Sequence, residues 1–303
     1  MMRPSPPINL QPRGYLTTTQ AKVWLCRLRS VHRPFERLGL IVSREVCLYI
    51  GIHALLPVIS GYSLRLLDLE TGACLDITLK QRFTTGTVFG LLPNQAIIAV
   101  GGSFGSSTVY AIALQSYLVS PLAQLLRPRS RPGLQVYGCS TYLFGGRDGA
   151  ALTSCESLQR VGAAWRTETD MHSPKAEFWP CEYAGEIYLC APSENGDCLE
   201  AYAVRTKVMR TFPGLVTCLS TSSIACFYAG EMLVLPSDGS LLRLQLPSMT
   251  IRAGTVGFLA DFKASSSTPP VRVGTRIYWV SPDNGAVQVL DAVSRAKQVL
   301  GSS

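Results

Sequence analysis

The amino-acid sequence predicts an all-β fold built from repeated units of about 45 residues. Tyr183-Ala184-Gly185-Glu186 recurs as Tyr228-Ala229-Gly230-Glu231, and the second copy begins 45 residues after the first. Each copy opens a short apolar run, and the same offset reaches related runs on both sides. A fixed period of this size is typical of a propeller or another repeat array. Four antiparallel strands in each period predict a six-bladed β-propeller.

Each predicted blade contains an apolar second strand, and these six runs set the period. They cover residues 48–50, 98–100, 142–144, 187–189, 232–234 and 277–279. Third strands follow at residues 64–69, 109–114, 155–159, 199–204, 241–246 and 287–291. Asn195-Gly196, Asp238-Gly239 and Asn284-Gly285 favour tight hairpin turns because both residue types tolerate a positive φ. A solenoid of helical hairpins is disfavoured, since these runs are short and rich in β-branched and aromatic residues.

Composition predicts one large globular array preceded by a basic segment. The chain has 303 residues, 47% hydrophobic and 16% charged, and we place a Pro-containing segment at 1–37 and the propeller at 38–303. Residues 1–35 carry six Lys and Arg side chains and no acid. The ring of blades could be closed by residues 296–300 or by a strand borrowed from residues 22–28. The sequence contains no run of 18 or more uncharged apolar residues, so no membrane span is predicted.

The cysteines favour a reducing, cytoplasmic setting. There are ten, none in a C-x-x-C pair, and most lie within apolar runs, where a thiol behaves as a small hydrophobic group. Cys190 and Cys198 flank a predicted turn and could pair. No Asn lies in a glycosylation sequon and no secretory leader is visible, which agrees with the same setting.

Two diglycines and two later aromatic residues carry a family resemblance. Gly101-Gly102 and Gly145-Gly146 end two of the second strands, and Tyr110 and Trp165 follow them. This pattern resembles the kelch repeat over about residues 40–300. The resemblance implies that the glycines allow neighbouring blades to pack closely and that the aromatics fill the gap between blades. Later units replace Gly-Gly with other pairs, so the propeller is better supported than the kelch type.

The search for catalytic and metal-ligating residues identifies no site. His32, His53 and His172 lie in different units, and none stands at a ligand spacing from another candidate. The Gly-rich segment 101–107 lacks the Lys of a phosphate-binding loop. There is also no G-x-S-x-G nucleophile elbow. We therefore expect no enzyme activity, no metal and no cofactor.

One face of the predicted propeller gathers the polar loops. Turns after second strands and connections after fourth strands emerge on the same side of an antiparallel sheet. The turns supply Arg147, Asp148, Glu194, Asn195, Asp238, Asp283 and Asn284, and the connections supply Arg127, Arg129, Arg131, His172 and Lys175. Prolines at 128 and 132 hold the arginine segment extended and spread three guanidiniums that can grip carboxylates or phosphates. We expect these arginines to be exposed at the rim, although a solvated linker between blades explains the segment equally simply.

These observations predict a non-catalytic protein-interaction module that acts as a scaffold or adaptor. The net charge of +8 favours a protein partner with an acidic surface, and no specific nucleic-acid signature is present. One alternative is an enzyme that handles a sugar or small metabolite at the mouth of the propeller channel. Another is a structural subunit that docks through residues 1–37. The sequence does not distinguish a ubiquitin ligase from the cytoskeleton or another assembly as the setting.

Overall fold

Short apolar and β-branched runs form the regular elements of this protein. The computed structural model describes residues 55–69, 74–92, 96–103, 106–114, 116–191, 199–212, 224–228, 231–235, 242–245, 250–252, 270–273, 276–280, 287–291 and 297–300. Within these ranges the chain is all-β and contains no helix. The all-β class is therefore confirmed. The chain divides into two compact units, residues 1–57 with 66–75, and residues 58–65 with 76–303.

Five four-stranded antiparallel sheets lie in the second unit, and each is built from consecutive strands in chain order. Sheet I contains β3 (Thr87–Leu92), β4 (Ala96–Gly101), β5 (Val109–Ala113) and β6 (Val119–Pro121). Sheet II contains β7 (Gly133–Tyr137), β8 (Ser140–Phe144), β11 (Cys155–Leu158) and β12 (Arg166–Thr167). A small hairpin, β9 (Arg147–Asp148) with β10 (Ala150–Ala151), is inserted between its second and third strands.

The remaining three sheets repeat the same order. Sheet III contains β13 (Cys181–Tyr183), β14 (Glu186–Cys190), β15 (Leu199–Ala203) and β16 (Val208–Thr211). Sheet IV contains β17 (Ile224–Tyr228), β18 (Glu231–Leu235), β19 (Leu242–Gln245) and β20 (Thr250–Arg252). Sheet V contains β21 (Val271–Val273), β22 (Arg276–Val280), β23 (Val287–Asp291) and β24 (Lys297–Leu300).

The second and third strands of these five sheets lie where the period predicts them. The five apolar runs from 98–100 to 277–279 fall in β4, β8, β14, β18 and β22, each the second strand of its sheet. Residues 297–300 form the fourth strand of sheet V, which agrees with the first of the two predicted ways to complete the last blade. The earliest predicted second strand, at 48–50, and the basic segment 1–37 lie outside the described residues.

The earliest unit of the repeat differs from the other five in its described part. Its predicted third strand, 64–69, is the end of a longer strand, β1 (Leu55–Asp68), which forms a two-stranded sheet with β2 (Cys74–Phe83). In the first compact unit, Leu56, Leu66, Leu67 and Leu69 are buried. In the second unit, Arg65 pairs with Asp76 at 2.8 Å between Nε and Oδ1, and both side chains are largely exposed. Solvent screens such an exposed pair, so it contributes little to stability.

The apolar core of sheets I to IV lies between consecutive sheets, and sheets II and III contribute to it from both faces. One cluster joins sheet I to sheet II and includes Ile98, Leu143 and Trp165. A second joins sheet II to sheet III through Phe144 and Tyr202. A third joins sheet III to sheet IV and contains residues of β13, β14, β15, β17, β18 and β19.

The strand alternation explains this arrangement. Adjacent residues of a strand point to opposite faces, so Leu143 packs toward sheet I while Phe144 packs toward sheet III. The first strands are also neighbours, because β7 lies beside β3 and β13, and β17 lies beside β13. Burial of each large apolar side chain contributes roughly 1.5–3 kcal/mol, so sheets I to IV stabilise one another in sequence order.

Candidate functional site

The connections between sheets and the turn after β8 come together on one surface, which we call the loop face. It comprises residues 122–132, 145–154 and 168–180. Ser130 and Arg147 exchange two backbone hydrogen bonds of 2.8 Å. The Lys175 amide donates to the Leu152 carbonyl at 3.2 Å, and the Gly146 amide donates to the Lys175 carbonyl at 2.9 Å. The backbone of these loops is therefore held as a small hydrogen-bonded layer, as the antiparallel order of the sheets predicts for sheets I to III.

A buried glutamate fixes the connection between sheets I and II. Glu156 of β11 is 2% exposed and accepts hydrogen bonds from the amides of Leu126 at 2.8 Å and Arg127 at 3.0 Å. Arg129 is 0% exposed, and its Nη2 lies 2.5 Å from Glu156 Oε1. The second guanidinium nitrogen donates to the Gly145 and Ser154 carbonyls at 2.8 and 2.9 Å. All of these bonds are charge-assisted, which makes them stronger than neutral ones.

The connection between sheets II and III repeats this arrangement with other residues. Glu200 of β15 is 0% exposed and accepts from the amides of His172 at 2.8 Å and Ser173 at 3.2 Å. Lys175 Nζ lies 2.5 Å from Glu200 Oε1 and also donates to Ser173 Oγ. Burial alone would raise the pKa of Glu200, but the hydrogen bonds from Lys175 and Ser173 outweigh it and hold the pKa below its ordinary value.

The two arrangements occupy equivalent positions, and we call them the carboxylate clamps. Each glutamate is the second residue of its third strand and is paired across the sheet with a leucine, Leu143 for Glu156 and Leu189 for Glu200. In both cases the cation comes from the preceding connection and the carboxylate from the sheet that follows. The clamps therefore tie each connection to the next sheet.

The clamps correct one expectation about the loop arginines. Arg129 was predicted to be exposed at the rim, and this is wrong, because a carboxylate that faces the connection draws its guanidinium into the core. Lys175 is buried for the same reason. Neither side chain can meet a partner at the surface of this structure, so the available cations of these connections are Arg127 and Arg131.

A second repeated feature lies just before the first strands. Gly86, Arg131 and Glu177 follow one another in the repeat, and all three have a left-handed backbone with φ of 87°, 49° and 62°. The Arg131 amide donates to the Gly86 carbonyl at 2.8 Å, and the Glu177 amide donates to the Arg131 carbonyl at 3.0 Å. These hydrogen bonds link three successive sheets and bring the side chains of Arg131 and Glu177 together. Arg131 Nη1 lies 2.6 Å from Glu177 Oε1.

The exposed side chains of the loop face include charges of both signs and one large apolar residue, Leu126. Arg147, whose side chain is 48% exposed, places its Nε 3.4 Å from Glu177 Oε1. Arg127 and Asp148 are exposed, and His172 is 53% exposed at the side chain, with its Nδ1 3.3 Å from Glu200 Oε2. Leu126, next to Arg127, is 59% exposed. Preorganised loops that carry arginine, acid and an apolar group can contact a protein surface.

The repeat glycines lie where the backbone of a connection crosses the end of a second strand. A Cβ on Gly101 would stand 2.4 Å from the Arg129 carbonyl oxygen, and one on Gly145 would stand 2.1 Å from that of Lys175. A Cβ on Gly102 would stand 2.6 Å from Thr84 Oγ1, and one on Gly146 would stand 2.8 Å from the Ser130 carbonyl oxygen. The glycines thus allow a close approach, but the neighbour at Gly101 and Gly145 is the crossing connection.

The repeat aromatics fill gaps beside neighbouring sheets. Trp165 is 3% exposed, packs in the cluster between sheets I and II, and donates from Nε1 to the Ala123 carbonyl at 3.0 Å. Tyr110 of sheet I meets Phe83 of β2 edge to face, with ring centroids 5.9 Å apart. Trp165 thus packs between sheets I and II, whereas Tyr110 packs against β2.

Five of the predicted loop residues lie outside the described part of the chain, namely Glu194, Asn195, Asp238, Asp283 and Asn284. Cys198, the possible partner of Cys190, also lies outside it. The described part of the chain contains no group of three His, Cys, Asp or Glu side chains arranged to hold a metal ion.

Sequence reasoning missed the acids that organise this face, Glu156, Glu177 and Glu200. A signal for two of them is present, because Glu156 and Glu200 are the single charges of otherwise uncharged third strands and lie at nearly the repeat distance from each other. A charge in a buried strand requires a partner. Glu177 carries no such signal, since its role depends on a left-handed backbone.

Comparisons with family models and with curated proteins identify no relative. No protein-family model matches the chain, and no curated protein matches it at a significant level. Among the described residues, none forms a helix of the length and apolar character that crossing a bilayer requires.

Proposed function

We propose that this chain is a kelch-like, six-bladed β-propeller that acts as a non-catalytic protein-interaction module, a scaffold or adaptor in the cytoplasm. Five four-stranded antiparallel sheets support five of the blades. The face-to-face packing of sheets I to IV, with their first strands as neighbours, is the packing that blades adopt. The glycines and Trp165 support the kelch resemblance.

The loop face is the proposed contact surface, and one observation carries this choice. Its exposed side chains stand on loops whose backbones are hydrogen-bonded to one another and tied down by the carboxylate clamps. A surface that is already ordered loses little conformational entropy when it binds. Rigid scaffolds that present ordered loops commonly use them for recognition. We expect the partner to be a protein with an acidic surface.

Site-specific photo-cross-linking tests this proposal in cells. A photoreactive phenylalanine analogue is introduced at Arg127 or Asp148 on the loop face, and at Arg166 or Arg205 as exposed controls away from it. The proposal expects the same partner protein to be captured from both loop-face positions and from neither control. Capture of the partner only from Arg166 and Arg205 would place the binding surface elsewhere and refute the proposal.

A further inference from the structure

Two guanidiniums of the loop face share a single carboxylate. Glu177 Oε1 lies 2.6 Å from Arg131 Nη1 and 3.4 Å from Arg147 Nε. The group therefore carries an excess positive charge. In the described part of the chain, Glu177 is the only acid that meets the Arg147 guanidinium, and this side chain is 48% exposed. The outer nitrogens of Arg147 thus remain available for a second carboxylate.

The backbone of Arg131 and Glu177 is a second, independent observation. Both residues are left-handed, which non-glycine residues seldom adopt without a cost in stability. The equivalent position before sheet I is Gly86, which adopts the same conformation without strain. Folding alone would favour glycine at all three positions. Arg131 and Glu177 therefore occupy these positions at a cost in backbone strain, as expected for residues that bind.

The surroundings favour a protein carboxylate over a nucleic-acid phosphate. Asp148 and Glu177 place negative charge among the cations, and exposed Leu126 offers an apolar contact. Mixed charge with arginine and an apolar group is typical of protein interfaces. Nucleic-acid interfaces carry dense positive charge instead.

We infer that Arg131 and Arg147 bind an Asp or Glu side chain of the partner, and that Glu177 orients both guanidiniums for it. This inference rests on the proposed function, because it assumes that the loop face is the binding surface. Arginine suits this role since its planar guanidinium can bind a carboxylate through two parallel hydrogen bonds.

The first arm of the test measures stability. Arg131→Gly and Glu177→Gly each remove an ion-pair member but relieve a left-handed backbone. We expect a melting temperature within about 2 °C of wild type or above it, because the two effects offset each other. A fall of more than about 5 °C in both variants would mean that the pair is kept for folding, and it would overturn the inference.

The second arm measures binding with a displayed library of random dodecapeptides. We expect wild-type protein to select peptides with Asp or Glu, and we expect replacement of one acid by its amide to abolish binding. Arg147→Gln should lower the affinity for the selected peptides on the order of tenfold, as expected for the loss of about one charge-assisted contact. Arg166→Gln, an exposed arginine of β12, is the matched control and should leave binding unchanged.

The outcomes separate the inference from the proposed function. The inference would be overturned if the selected peptides bound without an acid and lost binding with Leu126→Ser or Arg127→Gln but not with Arg147→Gln. That result would still support the loop face as the binding surface. Peptides insensitive to every loop-face change would overturn both. The inference would also be overturned if poly-uridine RNA or phosphatidylserine vesicles bound in an Arg147-dependent way while acidic peptides did not. The ligand of the two arginines would then be a phosphate and not a carboxylate.

Discussion

Removal of the Arg129 side chain should destabilise the protein strongly although the residue lies in a connection between sheets. Arg129→Ala leaves the Glu156 carboxylate buried with only two amide donors, and it takes a donor from the Gly145 and Ser154 carbonyls. Breaking a buried ion pair by deleting one partner costs roughly 3–5 kcal/mol. We therefore expect the free energy of unfolding to fall by about 4 kcal/mol.

Urea denaturation followed by tryptophan fluorescence measures this change. Trp165 and Trp179 are 3% and 4% exposed and pack in the cluster between sheets I and II, beside the clamp, so they report on this region. Arg127→Ala is the control two residues away, and we expect it to stay within about 0.5 kcal/mol of wild type because its side chain is exposed.

A conservative variant sharpens the comparison. Arg129→Lys keeps the charge, and the equivalent clamp uses Lys175, so we expect it to recover more than half of the loss. Equal stabilities of Arg129→Ala and Arg127→Ala would refute the reasoning, since they would show that the buried pair contributes nothing to folding.

Three further predictions concern other parts of the loop face and the core. Gly145→Ala should abolish soluble expression or lower the melting temperature far more than Gly149→Ala. Both glycines have a positive φ, but only Gly145 has a backbone oxygen 2.1 Å from the added Cβ. Similar melting temperatures for the two variants would contradict this. The pKa of Glu200 is lower in the folded state than its ordinary value of 4.5, so its contribution to stability is present above that pH and is lost as pH falls through the folded pKa; chemical denaturation from pH 6 to pH 3 should show a shallower decline in Glu200→Gln than in wild type. Burial raises the pKa of the Cys155 thiol to about 12. Iodoacetamide at pH 8 should therefore label exposed Cys139 in native protein and Cys155 only after unfolding, as measured by mass spectrometry. Labelling of both cysteines at equal rates would show this part of the core to be open.

The sheet order could be predicted from the sequence because the period constrains every unit at once. The apolar run of β14 alone fits a strand or part of a buried helix. Its repetition in β8, β18 and β22 at the same spacing removes this ambiguity, because four antiparallel strands fill each period. The glycines could also be located, since Gly101 and Gly145 end equivalent strands.

The fate of the loop arginines could not be predicted from their spacing. Arg127, Arg129 and Arg131 alternate with other residues and read as three equivalent cations. In the structure, Arg129 is buried because Glu156 lies 27 residues further along, in the sheet that follows this connection. Arg131 turns toward Glu177 because its own backbone is left-handed. Both causes are tertiary, so a local pattern contains neither.

The carboxylate clamps also bear on how the chain acquires its structure. They join residues only 27 and 25 positions apart, and each links a connection to the sheet that follows it. Proteins that make their contacts locally along the chain close smaller loops and fold faster. Each connection can therefore be tied to the sheet that follows it once the third strand of that sheet has been made, so that a nascent chain can gain order progressively from sheet I onward.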